Sequence, residues 1–356
     1  MAIVAHTHQF VIGVDTHART HTFAILVAST GEQTACEQFP ATNAGMSRAL
    51  AWAGRQTSGE TEVLWAVEGI GTYGARLADA VAAAGYQVVE APRMNARNRH
   101  GKGKSDPFDA RAIALAALSV DLRSLRHPRE NAGIRAALRF LVSARDQMTG
   151  ERTATVNALT ALVRAADLGI DARTALAAAQ IGEISRWRPR DEDIALTIAR
   201  EEAVRLAKRI IALDGELKAN QVRLNELIQS SMAAPLLEKT GIGPLTAAVV
   251  ITAWSHPGRV RSEAAFAALA GVNPIPASSG NTVRHRLNRG GDRRLNQALH
   301  MATIVRMTHD PDTRAYVERR LAEGRTKREI RRCLKRYLAR HLYRALNTLH
   351  AQSATP

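Results

Sequence analysis

Cysteine is scarce: Cys36 and Cys333 are the only two in a chain of 356 residues. Two distant thiols exclude a disulfide framework and a cysteine-based zinc cluster, and they fit a reducing cytoplasm. No apolar run reaches the roughly 18 residues that a membrane-spanning helix needs, and the first residues lack the basic region and apolar core of a secretory leader. A soluble, unprocessed cytoplasmic protein with no membrane partner is therefore expected. Aromatic residues make up only 4%, although hydrophobic residues as a whole reach 46%. Packed cores can thus be built from small side chains, and the alanine-rich stretches after residue 130 should be helical, since alanine has the best intrinsic helix propensity.

Acidic residues are also in deficit. Lys and Arg number 49 against 33 Asp and Glu, a formal charge of +16. Such an imbalance points to a polyanionic partner. Its placement is uneven: residues 281–346 hold eighteen Lys/Arg and six Asp/Glu, a local excess of twelve. A solvated basic helix that only keeps the protein soluble is the plain reading. The dominance of arginine, whose planar fork matches phosphate oxygens, favours nucleic acid.

The length suits about two domains, because single cores stop growing near roughly 250 residues. Residues 9–39 read as three short strands, QFVIGVD, HTFAILVAS and EQTACEQF, with Ser29-Thr30-Gly31-Glu32 as the turn between the last two. After them come a helix from Asn43 to about Trp52, the strand TEVLWAVE, a helix through LADAVAAAG and the strand YQVVEA. Strands that alternate with helices join a sheet by parallel crossovers. An antiparallel meander followed by strand–helix units is the RNase H-like pattern. From Glu130 to Gln229 the chain reads as long helices, interrupted near Gly169 and at Arg186–Asp191. Within them Ala203, Leu206, Ile210, Leu213, Leu217, Asn220, Leu224 and Leu227 step by three and four, a heptad seam with one polar member. Packing within one chain and an intermolecular coiled coil both explain it. The turn Thr240-Gly241-Ile242-Gly243-Pro244 suits either a helix-hairpin-helix element, whose glycines let backbone N–H groups approach a phosphate, or a tight interhelix turn without a ligand. The fold class is α/β plus all-α, in three parts: a mixed-sheet metal-binding domain over 1–128, a helical coiled-coil region over 129–232, and a mostly helical nucleic-acid-binding domain over 233–356.

Four acids take positions that a metal nuclease requires. Asp15 ends the first strand, Glu68 ends the fourth, and Asp106 and Asp109 open a helix. Gathered without a cation, such carboxylates would raise one another's pKa values by repulsion, so the set calls for a divalent ion. Hard oxygen ligands favour Mg²⁺ or Mn²⁺, and such ions can stabilise attacking and leaving oxygens in phosphoryl transfer. Singly, each acid could be a helix cap or turn former. A competing motif is Gly69-Ile70-Gly71-Thr72-Tyr73-Gly74, a dinucleotide fingerprint in outline with Glu90 ending the next strand. Glu68 would set an anion beside the pyrophosphate, and the preceding meander is wrong for that fold.

Over nearly its whole length the sequence resembles the insertion-sequence-110 type transposases, the bridge-RNA-guided recombinases. The resemblance rests on GVDTHA around Asp15, EGIGTY around Glu68 and GKSDPFDARAIA around Asp106 and Asp109, then on TGIGPLTAA, FAALAGVNPIPASSG and RLNRGGDRRLNQALH. It implies a RuvC-like domain with the D-E-D-D set Asp15, Glu68, Asp106 and Asp109, and a nucleophilic serine at Ser279, with Ser278 as its close competitor. Serine is a weak nucleophile unaided, and neighbouring cations such as Arg284, Arg286 and Arg289 could stabilise charge on the phosphate. Arg293, Arg294, Arg331, Arg332, Lys335 and Arg336 complete the expected nucleic-acid surface. The family further implies double-stranded DNA at element ends and target, a structured guide RNA, dimers pairing into tetramers, and active sites that combine one subunit's acids with another's serine. Gly69-Ile70 and Arg289-Gly290-Gly291 depart from the usual Ala-Thr and Lys-Arg-Gly. Two rivals stay open: a hydrolytic nuclease or junction resolvase in which water attacks, and a non-catalytic nucleic-acid-binding module.

Overall fold

A computed structural model describes residues 2–92, 105–129, 132–279 and 285–354. The chain forms two compact units, residues 1–131 with 254–266, and residues 132–253 with 267–356. No described helix is long and apolar enough to cross a membrane.

The first unit is a mixed sheet between helices, the RNase H-like architecture. Its strands are β1 (Phe10–Thr16), β2 (Thr20–Val27), β3 (Gln33–Pro40), β4 (Val63–Val67) and β5 (Gln87–Glu90), in the order β3-β2-β1-β4-β5. The β1–β2 and β2–β3 pairs are antiparallel, and β4 and β5 join in parallel. Side chains alternate between two cores, as strand geometry dictates. Ile12, Val14, Phe23, Trp65 and Val67 pack on one face with Met46 and Ala49 of helix α1 (Asn43–Gln56) and Leu77 and Val81 of α2 (Ala75–Ala83). Val11, Ala24, Leu64 and Ala66 pack on the other with Ala110, Ile113 and Ala114 of α3 (Asp106–Leu118). Each fully buried large side chain contributes roughly 1.5–3 kcal/mol.

Gly13 sets how closely α3 lies on the sheet. A Cβ there would sit 2.1 Å from the Ala110 carbonyl oxygen and 2.5 Å from the Ala114 nitrogen, both helix backbone. Only glycine leaves room for the helix to rest on β1.

The second unit is mainly helical. Helices α4 (Gly133–Ala165) and α6 (Ile194–Gln229) pack together, with α5 (Ala178–Ile184) against α6. Asp193 starts α6 by accepting the Ala195 and Leu196 N–H groups, as the acids after Pro189 predict. The heptad seam is covered by α4 of the same chain: Ala203 and Ile210 share a core with Leu159 and Val163, and Leu213, Asn220 and Leu224 are buried too. Asn220 donates to the Leu141 carbonyl at 3.0 Å, and Arg145 donates to the Leu217 carbonyl at 3.0 Å. The seam is therefore an intrachain interface, and its polar member fixes the register of α6 on α4.

Further along lie α7 (Pro244–Trp254), α8 (Glu263–Leu269), the two-residue strands β6 (Ile275–Pro276) and β7 (His285–Arg286), and helices α9 (Arg293–His309), α10 (Pro311–Ala322) and α11 (Lys327–Ala354). Gly241 has φ +82°, and a Cβ on it would meet the Ala302 carbonyl oxygen of α9 at 2.6 Å. That glycine serves a close helix contact, as a tight interhelix turn requires.

Candidate active site

Asp15 is buried one residue before the end of β1, on the sheet face that Val11 presents to α3. Glu68 follows β4 directly, its N–H bonded to the Val14 carbonyl at 2.9 Å, and its position continues the face of Leu64 and Ala66. Asp106 and Asp109 occupy the first turn of α3, whose start is marked by Pro107. Adjacent parallel strand ends and a helix N-terminus thus bring the predicted acids to one edge of the sheet.

The close group, however, is Asp15, Asp106 and a residue not anticipated from the sequence, His17. Ligand atoms of these three all lie within 4.8 Å of one another. His17 Nε2 is 3.1 Å from Asp15 Oδ2 and 3.5 Å from Asp106 Oδ1, between the two carboxylates. Gln38 Nε2 of β3 donates to Thr22 Oγ1 at 3.1 Å and to Asp106 Oδ2 at 3.5 Å, the carboxylate oxygen that His17 does not contact. Glu68 is exposed and stands outside the close group, as does Asp109. The place of His17 in GVDTHA, two residues after Asp15, was the available signal for it.

Burial pushes the Asp15 carboxyl above its ordinary range, the His17 ring opposes this, and Asp109 and Asp106 push it further up. Repulsion of this kind is relieved by a divalent cation among the oxygens. The donor set of carboxylates with one imidazole is compatible with such an ion.

The turn after Glu68 is folded upon itself. Gly69 has φ +60°, its carbonyl accepts the Thr72 and Gly74 N–H groups, and a Cβ on Gly74 would meet the Glu68 carbonyl oxygen at 2.7 Å. Local geometry therefore accounts for Gly69 and Gly74 of the spacing that imitates a dinucleotide fingerprint, whereas a Cβ on Gly71 would meet nothing within 4 Å.

In the second unit, Ser278 and Ser279 are exposed just beyond β6. The strands β6 and β7 pair antiparallel, Ile275 with Arg286 and Pro276 with His285. Glycines hold the base of this hairpin: a Cβ on Gly271 would lie 2.4 Å from the Gly290 carbonyl oxygen, and one on Gly291 would lie 2.6 Å from that of Leu269. Asn288 Nδ2 donates to Asn273 Oδ1 at 2.7 Å, tying the two arms.

Arg286, Arg289, Arg293 and Arg332 are exposed, and Arg331, Lys335 and Arg336 are half-buried. Arg294 is ion-paired with Asp146 of α4, so its fork is already engaged. Lys335 Nζ donates to Asn296 Oδ1 at 2.6 Å, and burial pushes its pKa down. Arg284 lies outside the described residues.

Comparison with known proteins matches both halves. An IS110-type DEDD transposase model, described as Transposase, matches residues 12–166, which include all four acids. The model of the transposase IS116/IS110/IS902 family matches residues 233–318, which include Ser279. The uncharacterized 42 kDa protein of insertion element IS900 from Mycobacterium paratuberculosis is 28% identical over 312 residues, 74% of this chain and 77% of the relative. The uncharacterized 43.6 kDa protein of insertion element IS110 from Streptomyces coelicolor is 30% identical over 123 residues, 34% of this chain and 30% of the relative. Matched in order at both ends by models of one family, on an RNase H-like sheet with acids at its edge, the chain belongs to the IS110-type transposases, enzymes that rearrange DNA.

Proposed function

We propose that the chain moves an insertion sequence by strand exchange, through a covalent serine–DNA intermediate at Ser279 and with Mg²⁺ or Mn²⁺ held by Asp15, Glu68, Asp106 and Asp109. The observation that carries the metal half is the Asp15–His17–Asp106 group at the sheet edge. His17 joins the donor set, and its Nε2 occupies the space between two carboxylates that otherwise repel. A cation bound there would withdraw charge from phosphate oxygens during transfer.

For the serine half, support comes from the exposed hairpin and from Arg286 and Arg289, which can neutralise a phosphate beside it. In the proposed step the Ser279 Oγ–phosphorus bond forms as a phosphorus–oxygen bond of DNA breaks. The serine proton goes to the departing deoxyribose oxygen through a base or water. One phosphate ester replaces another, so rejoining is the same step in reverse. A structured guide RNA and assembly of dimers into tetramers, with acids and serine from different subunits, complete the proposal on the strength of the family resemblance.

Incubation with DNA and copurified RNA, followed by a denaturing gel, tests it. Asp15→Asn should weaken Mn²⁺ binding and stop cleavage. Ser279→Ala should keep metal binding and lose the covalent protein–DNA band. An adduct that persists in Ser279→Ala transfers the role to Ser278. Metal-dependent cutting without either serine would mean that water attacks and that the chain is a hydrolytic nuclease.

A further inference from the structure

Beside the serine hairpin, within the second unit, lies a pocket of about 580 Å³. Its walls are the turn Gly271–Pro274, strand β7, and residues from the end of α10 and the first turns of α11. Arg286, Arg320, Arg325, Arg332, Lys335 and Arg336 line it, against a single carboxylate, Glu329. Glu329 is itself committed: it accepts the Thr326 N–H and hydroxyl at 2.9 Å each and pairs with Arg325. Arg320 is ion-paired with Glu323. None of the ion pairs among the described residues involves Arg286, Arg332, Lys335 or Arg336. Lys335 is half-buried, with burial and the Arg331 charge pushing its pKa down, and the buried Arg331 Nε has no hydrogen-bond partner among the described residues. This is a concentration of positive charge that lacks its counter-charge.

The pocket is not uniformly polar. Val272, Pro274 and Leu287 form an apolar strip along it, with Leu287 55% exposed, whereas Ile330 is buried. A phosphate alone is much smaller than this cavity and would leave the strip facing water. A duplex presents its phosphates on a convex surface, which suits an open basic face better than a concavity. Cavities of roughly 300–1,000 Å³ suit a whole small molecule. Unstacked bases, in turn, are received on apolar surfaces and guanidinium planes.

We infer that this pocket takes one unpaired nucleotide, its phosphate on the unpaired cations and its base against the apolar strip. The inference rests on the nucleic-acid reading of the chain and narrows it: the substrate feature is a nucleotide out of its stack, at a flap, nick, junction or loop. Because β7 carries Arg286 and pairs with the strand that leads to Ser279, pocket and serine belong to one hairpin. Extruding a base costs a few kcal/mol in a duplex and least where the strand is already single, so recognition favours opened DNA or RNA over intact helix.

Cys333 lines the pocket and is a built-in reporter. In the full chain, alkylation of Cys333 by N-ethylmaleimide is followed by peptide mass spectrometry, with Cys36 as internal reference. Thymidine and uridine 3′,5′-bisphosphates, as the DNA and RNA arms, should each slow Cys333 alkylation, by about tenfold at ten times the Kd. Pyrophosphate and a blunt duplex should protect far less. In parallel, a duplex with a one-nucleotide 2-aminopurine flap should change fluorescence on binding, and the Arg286→Gln, Arg332→Gln double variant should lose both signals. Should Cys333 prove unreactive in the free protein, the 2-aminopurine signal decides alone. Protection by pyrophosphate or blunt duplex equal to that by the bisphosphates would reduce the pocket to a phosphate track and overturn the inference. No protection and no fluorescence change, with DNA still retained in a gel shift, would also overturn it while leaving the nucleic-acid function intact. Failure of the wild-type chain to retain any DNA or RNA would instead sink the underlying reading.

Discussion

Replacing Gly13 by alanine perturbs the candidate active site from beneath, without touching a proposed ligand. The added Cβ would stand 2.1 Å from the Ala110 carbonyl oxygen, 2.5 Å from the Ala114 nitrogen and 2.9 Å from the Ala114 Cβ. Carbon atoms settle at about 3.5 Å or more from their neighbours, so α3 has to lift by roughly an ångström or slightly more. Two of these three neighbours are helix backbone, which cannot rotate aside. The cost should therefore fall near the upper end of the usual overpacking range, about 3 kcal/mol. Asp106 sits in the first turn of α3 and moves with it, opening the group it forms with Asp15 and His17. A displacement of about 1 Å in a reacting site can cost roughly 100-fold in rate. Urea unfolding should show the stability loss, hydrogen exchange should show α3 loosened, and Mn²⁺ titration and DNA cleavage should both weaken. If Gly13→Ala unfolds within about 0.5 kcal/mol of the wild type, the range of a neutral surface change, and cleaves at the wild-type rate, the packing argument is refuted.

Gly215 provides the opposite case: it is exposed within α6, and a Cβ there meets nothing within 4 Å. Gly215→Ala should stabilise the helical unit by about 0.5–1 kcal/mol in chemical denaturation. Leu213 is fully buried in the α4–α6 interface, so Leu213→Ala should cost about 2–5 kcal/mol by the same measurement. A change in sedimentation without a stability loss would return the seam to an interface between chains. Neutralising the exposed Arg286, Arg289 and Arg332 should flatten the salt dependence of nucleic-acid binding by about 0.7–0.9 log units for each phosphate that is no longer neutralised. Arg294→Gln should alter that slope less, because its side chain already pairs with Asp146; fluorescence anisotropy across a salt series reads both.

Much of the first unit was legible because period-two alternation is a local signal. Ile12 and Val14 against Val11, Gly13 and Asp15 already divide β1 into two faces, and the strand order follows from a meander and two crossovers. The acids were legible for the same reason, since each stands where a strand ends or a helix begins. What local pattern could not reveal was which side chains finally meet. His17 resembles any polar residue in a turn until Asp106 is brought over it by α3, and that approach depends on Gly13. Glu68 keeps its place on the right face yet stays exposed. The heptad announced that α6 needed a partner but could not say from which chain, because Asn220 finds its acceptor at Leu141, far back in sequence. Residues 254–266 belong to the first unit, where His256 Nε2 lies 3.0 Å from the Pro128 carbonyl oxygen, and no periodicity foretells so distant a contact. Gly74, Gly241 and the glycines of the hairpin base were visible as letters, but the backbone that each one accommodates was not.

The pairing of α4 with α6 also constrains how the chain can change length through descent. Helices of 33 and 36 residues run about 50 Å each. They are locked in register by Asn220 on Leu141 and Arg145 on Leu217 and bound by ion pairs such as Arg209 with Glu151. One residue inserted into either helix turns everything beyond it by about 100° and shifts it by about 1.5 Å. Length variation here should therefore be inherited as matched pairs, in steps of about seven residues that nearly restore the buried face, and the segment between the two helices is constrained as well, because Leu168, Ala172, Leu176, Ile181 and Ile184 are buried in the same core.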